Sequence, residues 1–200
     1  MMYFTASPAE KPKISILNLT EKQMTLWLII IAAAVILDQA TKFIASSLLG
    51  LNECVVAIPY LFNFHHIKNT GAAWGMFSDN RWVFLAISLV AIIALPIFLY
   101  KYRKAPFLFG FSLSLIIGGA VGNMIDRLFA EGGGVTDFIE FAFMDFPIFN
   151  VADIFVCIGA VLLFIYLAFL DKVIFPPEKS KEKSTSAAGE ETQAEEEKDD

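Results

Sequence analysis

Asp126, Asp137 and Asp153 stand within 28 positions, between two apolar runs, with Asn123, Arg127 and Asn150 among them. An ionised Asp at membrane depth loses about 3 kcal/mol on insertion scales, so carboxylates at the edge of apolar runs point to a site that uses them. The chemistry two carboxyls do together is acid–base. When they lie roughly 3 Å apart they share one proton, because like charges that close resist joint ionisation. The ionised member activates a water, and the protonated member hydrogen-bonds the oxygen of a scissile carbonyl.

Asp153 is the third residue after Asn150, at the start of an apolar run. An Asn N-cap with an acid at N3 is a capping arrangement, and the positive end of the helix favours the charge. The same field also helps keep Asp153 ionised beside a second carboxylate. Two partners compete for that place. Asn123, Asp126 and Arg127 share one helical face, and an Asp held by an Arg has a lowered pKa and a structural role. Asp137 follows Gly132, Gly133 and Gly134 in a Phe-rich stretch, where apolar surroundings raise a carboxyl's pKa. The residues alone tip the balance a little toward Asp137 and leave Asp126 open.

Asp38 and Lys42 have i,i+4 spacing with the acid first, the favourable order for an ion pair on one helix face. Asn69 in NTG reads as a turn residue. His65 and His66 lack metal-ligand spacing, and Cys54 and Cys157 are far apart. Neither a disulfide nor a metal site is expected, and no cofactor. Ser46 and Ser47 near Lys42 read as packing residues.

The elements that must position these groups are membrane helices. Of the 200 residues, 56% are hydrophobic, above the 45–50% usual for a soluble domain, and the excess falls in long runs. The reading is an all-α integral membrane four-helix bundle with a small β-rich extracytoplasmic element. Its spans lie at about 24–48, 82–100, 107–126 and 152–170, with outer loops at 50–81 and 127–151. Residues 1–23 read as a loose cytoplasmic extension without the order of a secretory signal peptide, and 171–200 as a disordered cytoplasmic tail. From Glu178 the tail carries nine acids and four Lys, which accounts for most of the net charge of −6. There is no basic patch for nucleic acid. VVAI and YLFNFHHI have strand-like content, Trp74, Met76 and Phe77 are placed against lipid headgroups, and Gly118 and Gly122 form a GxxxG for close helix approach. Basic residues gather in the N-terminal segment, at Lys101, Arg103 and Lys104, and after the last span. The positive-inside rule then puts both termini in the cytoplasm and Asp38, Asp126, Asp137 and Asp153 near the outer face.

Together DQATK (38–42), NTGAAWG (69–75), GGAVGNMIDR (118–127), VTDFIEF (135–141) and FNVAD (149–153) resemble the lipoprotein signal peptidases, the type II signal peptidases of bacteria. The likeness covers about residues 24–170 in the expected order. It implies a membrane aspartic endopeptidase of the inner membrane that cuts prolipoproteins just before a diacylglyceryl-modified cysteine, and a cleft that globomycin-type cyclic peptides block. It places the catalytic dyad at Asp137 and Asp153, with Asp38, Lys42, Asn69, Gly71, Asn123, Asp126, Arg127 and Asn150 shaping the site and holding substrate. A monomer among membrane lipids is expected. The extension, the glycine triplet and the acidic tail depart from the family pattern. The rival classes are an ion-coupled transporter and a non-catalytic adaptor. Against the transporter, the polar residues gather on one side and no inverted repeat is evident.

Overall fold

The computed structural model of the chain describes residues 14–71 and 81–170. Helix α1 spans Ile14–Leu48, so residues 14–23 are helical, and this corrects the expectation of a loose extension there. Between Pro12 and Gly50 the sequence holds neither Pro nor Gly, so nothing interrupts the backbone ladder once it starts. Helix α2 is Arg81–Lys101 with Pro96 inside it, and α3 is Phe107–Phe129. Helix α4 is Val151–Ile165, continued by a wider π-type turn at Tyr166–Leu170. Trp74, Met76, Phe77 and the acidic tail lie outside the described residues.

Among the described residues, Glu21–Leu48, Phe107–Phe129 and Val151–Leu170 are long and apolar enough to cross a membrane, and α2 holds a shorter apolar stretch, Leu85–Lys101. Helix α3 is central: 61% of its apolar window is buried, against 22% for α1 and 11% for α4. The outer helices expose Leu28, Ile36, Phe43, Phe164 and Phe169, surface that is favourable only against hydrocarbon.

Glycines let the helices close on α3. A Cβ on Gly118 would meet Ala34 of α1, one on Gly119 would overlap the Ala152 carbonyl of α4, and one on Gly122 would overlap the Asp38 carboxylate. The GxxxG pair thus faces α1, and the glycine between them faces α4. At the other end of α3, Trp27 is 5.0 Å from Phe107, and Phe109 packs between Phe98 and Tyr166. The molecule has an aromatic core at one end of the helices and a polar one at the other.

A three-stranded antiparallel sheet, in the order β1 (Cys54–Ile58), β2 (Phe62–Asn69), β3 (Val135–Phe141), packs at the polar end. Its third strand is a correction, because VTDFIEF was read as outer loop. Phe62 pairs with Phe141 and Asn69 with Val135, with a register shift between Phe64 and Ile67. Between α3 and β3 the chain reverses through a short turn at Glu131–Gly133, where Gly132 (φ 73°) and Gly133 (φ 67°) are left-handed. Gly132 and Gly133 therefore permit the reversal that leads the chain into the strand carrying Asp137, since side-chain-bearing residues rarely adopt that conformation.

Candidate active site

The site is two hydrogen-bonded layers. The lower layer joins the helices. Lys42 is 97% buried and pairs with Asp38 at 2.9 Å and Asp126 at 3.3 Å. It also donates to Asn123 Oδ1 at 2.8 Å. Asp38 Oδ1 accepts the Ala152 N–H at 3.0 Å, which ties α1 to the first turn of α4. Asp126 Oδ2 accepts the Thr136 N–H at 2.9 Å, which ties α3 to β3. The expected Asp38–Lys42 pair is present, and Asp126 joins it as Lys42's second carboxylate.

The upper layer holds Asp137 and Asp153, and Asn150 stands between them. Its Nδ2 donates to Asp137 Oδ1 at 2.6 Å, and its backbone N–H donates to Asp153 Oδ2 at 3.1 Å. Asn150 Oδ1 accepts the Asp153 N–H at 3.0 Å, so the capping box read from the sequence is formed. Asn69 plays two parts. Its Oδ1 accepts the Gly71 N–H at 3.0 Å, the expected turn, while its Nδ2 donates to Asp137 Oδ2 at 2.8 Å. Asn123 Nδ2 donates to Asp153 Oδ1 at 2.8 Å, and Asn123 Oδ1 accepts from both Lys42 and Asn150 Nδ2. Asn123 is the joint between layers.

Asn150 reaches this position because the chain after β3 folds back. The Phe149 carbonyl accepts N–H bonds from Phe138 and Ile139, and the Phe149 N–H donates to the Ile139 carbonyl. Each of the four carboxyl oxygens of Asp137 and Asp153 thus receives one fixed donor, leaving lone pairs for a proton and a water. Burial pushes the Asp137 carboxyl up to about 7, the charge of Asp153 acts in the same direction, and the Asn69 and Asn150 donors and the Lys42 charge oppose it.

A cleft of about 440 Å³ opens over the pair, with Asn69, Gly71, Asn123 and Arg127 on its polar side. Phe141, Phe146, Phe149, Ile154 and Ile158 make its apolar side. Arg127 sits on the last turn of α3 with its guanidinium near the Asn123 carbonyl at 3.4 Å.

All four expected polar segments converge. Gln39 was missed: its Nε2 contacts Asp38 Oδ2, the Gly122 carbonyl and Asp126 Oδ1 at 3.0–3.1 Å. Thr136 was missed too, although it carries the N–H that anchors Asp126. Ser46 lies 3.5 Å from His66 Nε2 and His66 Nδ1 is 3.0 Å from the Leu49 carbonyl, so these residues brace the end of α1.

A helical membrane protein with two carboxyls clasped by amides under an apolar cleft is of the class of membrane aspartic peptidases. The family model described as Signal peptidase (SPase) II matches residues 30–169, and the chain belongs to that family. A lipoprotein signal peptidase of Clostridium tetani is 40% identical over 155 residues, covering 74% of this chain and 98% of that one. Its counterpart in Brevibacillus brevis is 41% identical over 147 residues, covering 73% and 97%. A bacterial membrane enzyme solved in meso at 2.3 Å resolution superposes with a TM-score of 0.66 at 36% identity, covering 72% of this chain and 88% of that one. A second, at 1.9 Å, gives 0.64 at 34% identity, covering 74% and 95%.

Proposed function

We propose that this protein removes signal peptides from diacylglyceryl-modified prolipoproteins, cutting before the lipid-modified cysteine, with Asp137 and Asp153 as a water-activating dyad. The observation that carries the assignment is Asn150, which contacts one carboxyl with its side chain and the other with its backbone N–H. The names of the relatives, lipoprotein signal peptidases, supply the substrate class.

One proton is shared by the pair. We assign the base role to Asp153, which sits at the N-terminus of α4 and accepts from Asn123 Nδ2 and the Asn150 N–H. Asp137, which keeps a proton up to about 7, is suited to donate to the scissile carbonyl oxygen. Asp153 then takes a proton from the attacking water, and Asp137 stabilises the developing oxyanion. The Phe-lined side of the cleft suits the apolar signal peptide and the acyl chains, which stay in lipid while the peptide bond meets the dyad. Globomycin-type cyclic peptides compete for that cleft.

Incubating purified protein with a diacylated prolipoprotein gives a mass shift equal to the lost signal peptide; an unchanged mass sinks the assignment. The rate has a further signature. Asp137 protonated is the working form and its pKa is about 7, so kcat/KM falls as pH rises through that value. A profile still rising at pH 9 contradicts this division of roles.

The membrane arrangement we infer has α1 to α4 as four spans, both termini cytoplasmic, and the dyad near the outer face of the bacterial inner membrane. The basic loop Lys101, Arg103 and Lys104 supports it. The chain acts as a monomer. A reporter fused after Lys183 stays cytoplasmic; an exported one overturns the arrangement.

A further inference from the structure

Away from the dyad, the sheet brings together three residues that have no part in that chemistry. Cys54 on β1 pairs with His65 on β2, and Glu140 on β3 pairs with Asn63 on β2. His65 Nδ1 lies 3.3 Å from Glu140 Oε1, and Cys54 Sγ lies 3.6 Å from Glu140 Oε2. One donor atom from each residue lies within 4.8 Å of the other two.

We propose that Cys54, His65 and Glu140 form a binding site for Zn²⁺ on the sheet. In tetrahedral zinc sites, with Zn–S about 2.3 Å and Zn–N and Zn–O about 2.0–2.2 Å, neighbouring donor atoms stand about 3.4–3.6 Å apart. The His65 spacing runs to Oε1 of Glu140 and the Cys54 spacing to Oε2, so the carboxylate already faces both partners, and an ion draws the three donors in from the 4.8 Å within which they lie. A thiolate, an imidazole and a carboxylate are a mixed set that favours zinc over the oxygen-seeking Mg²⁺ and Ca²⁺. Asn63 Nδ2 donates to Glu140 Oε2 at 2.9 Å and holds the carboxylate's orientation, as outer partners of metal ligands do. Cys54 is exposed and Glu140 and His65 are partly so, which leaves an approach for the ion and a fourth position for water.

The site is separate from the dyad. Side chains alternate along a strand, so Glu140 and Asp137, three residues apart on β3, project from opposite faces. An ion here links the edge strand β1 to the strand that carries Asp137. The inference does not depend on the proposed substrate.

The test uses the purified full chain in detergent, stripped of metal and then titrated with Zn²⁺ alone. One equivalent binds, and Cys54→Ser, His65→Ala and Glu140→Gln each weaken binding about tenfold or more. Cys157→Ser and Asp137→Asn leave it unchanged. Co²⁺ gives a thiolate charge-transfer band in the near ultraviolet that Cys54→Ser removes. A measurement that needs no variant is alkylation of the wild-type protein followed by peptide mapping: Zn²⁺, and not Mg²⁺, slows modification of Cys54 and leaves Cys157 reactive. The proposal fails if no stoichiometric binding occurs, if binding persists in Cys54→Ser, if Asp137→Asn abolishes it, or if Cys54 is alkylated equally fast with Zn²⁺.

Discussion

Asp137→Asn and Asp153→Asn each lower prolipoprotein cleavage by about ten-thousand-fold, with the protein still folded. That size follows from the dyad acting as a unit, where losing one member removes nearly all the acid–base contribution. The replacement keeps the shape but breaks the proton arithmetic. Every oxygen of the pair already receives a donor from Asn69, Asn123 or Asn150. An amide NH₂ at either position turns one of these contacts into donor facing donor and cannot take or give the shared proton. Asp126→Asn is the discriminating control. Asp126 contacts Lys42, Gln39 and the Thr136 N–H, none of them a donor to the dyad, so this variant loses stability but retains measurable cleavage. The measurement is product mass against time, with monodisperse elution and helical circular dichroism as the folding check. Full activity in Asp137→Asn together with none in Asp126→Asn would transfer the dyad to Asp126.

Much of this site was legible because its constraints are local. Asn150 and Asp153 are three residues apart at a helix start, and their capping box needs only that spacing. Asp38 and Lys42 are one helical turn apart. The apolar runs marked the helices because hydrophobicity over 20 residues is a strong signal. What escaped depends on contacts between distant segments. Gln39 meets Asp126 across 87 positions of sequence, and no periodicity announces that. VTDFIEF becomes a strand because β2 offers an open edge, a tertiary preference that overrides a loop-like flank of three glycines. The start of α1 was missed because hydropathy locates the apolar run and is silent about polar turns that merely continue the helix. Cys54, His65 and Glu140 lie on three strands, so spacing could not group them.

Lys42→Met destabilises the protein by about 3–5 kcal/mol, the usual result of removing one partner from a buried ion pair. Lys42 stands between two carboxylates that are themselves buried, Asp38 with 0% of its surface exposed and Asp126 with 7%. Without the ammonium, both retain only neutral donors, the Ala152 and Thr136 N–H groups and Gln39. Two like charges then face each other across the α1–α3 contact, where Gly122 has brought the helices too close for water to enter easily. The double variant Lys42→Met/Asp38→Asn recovers part of the loss, because one uncompensated charge is gone; a double variant as unstable as the single one would show that Lys42 acts by packing. The catalytic consequence runs through Asn123. Its Oδ1 loses the Lys42 donor and keeps only Asn150, which frees the amide to rotate away from Asp153. Activity per folded molecule therefore falls along with the melting temperature. If thermal unfolding in detergent shows no loss, the lower layer does not hold the helices together; if stability falls while kcat is unchanged, Asn123 keeps Asp153 in place without help from Lys42.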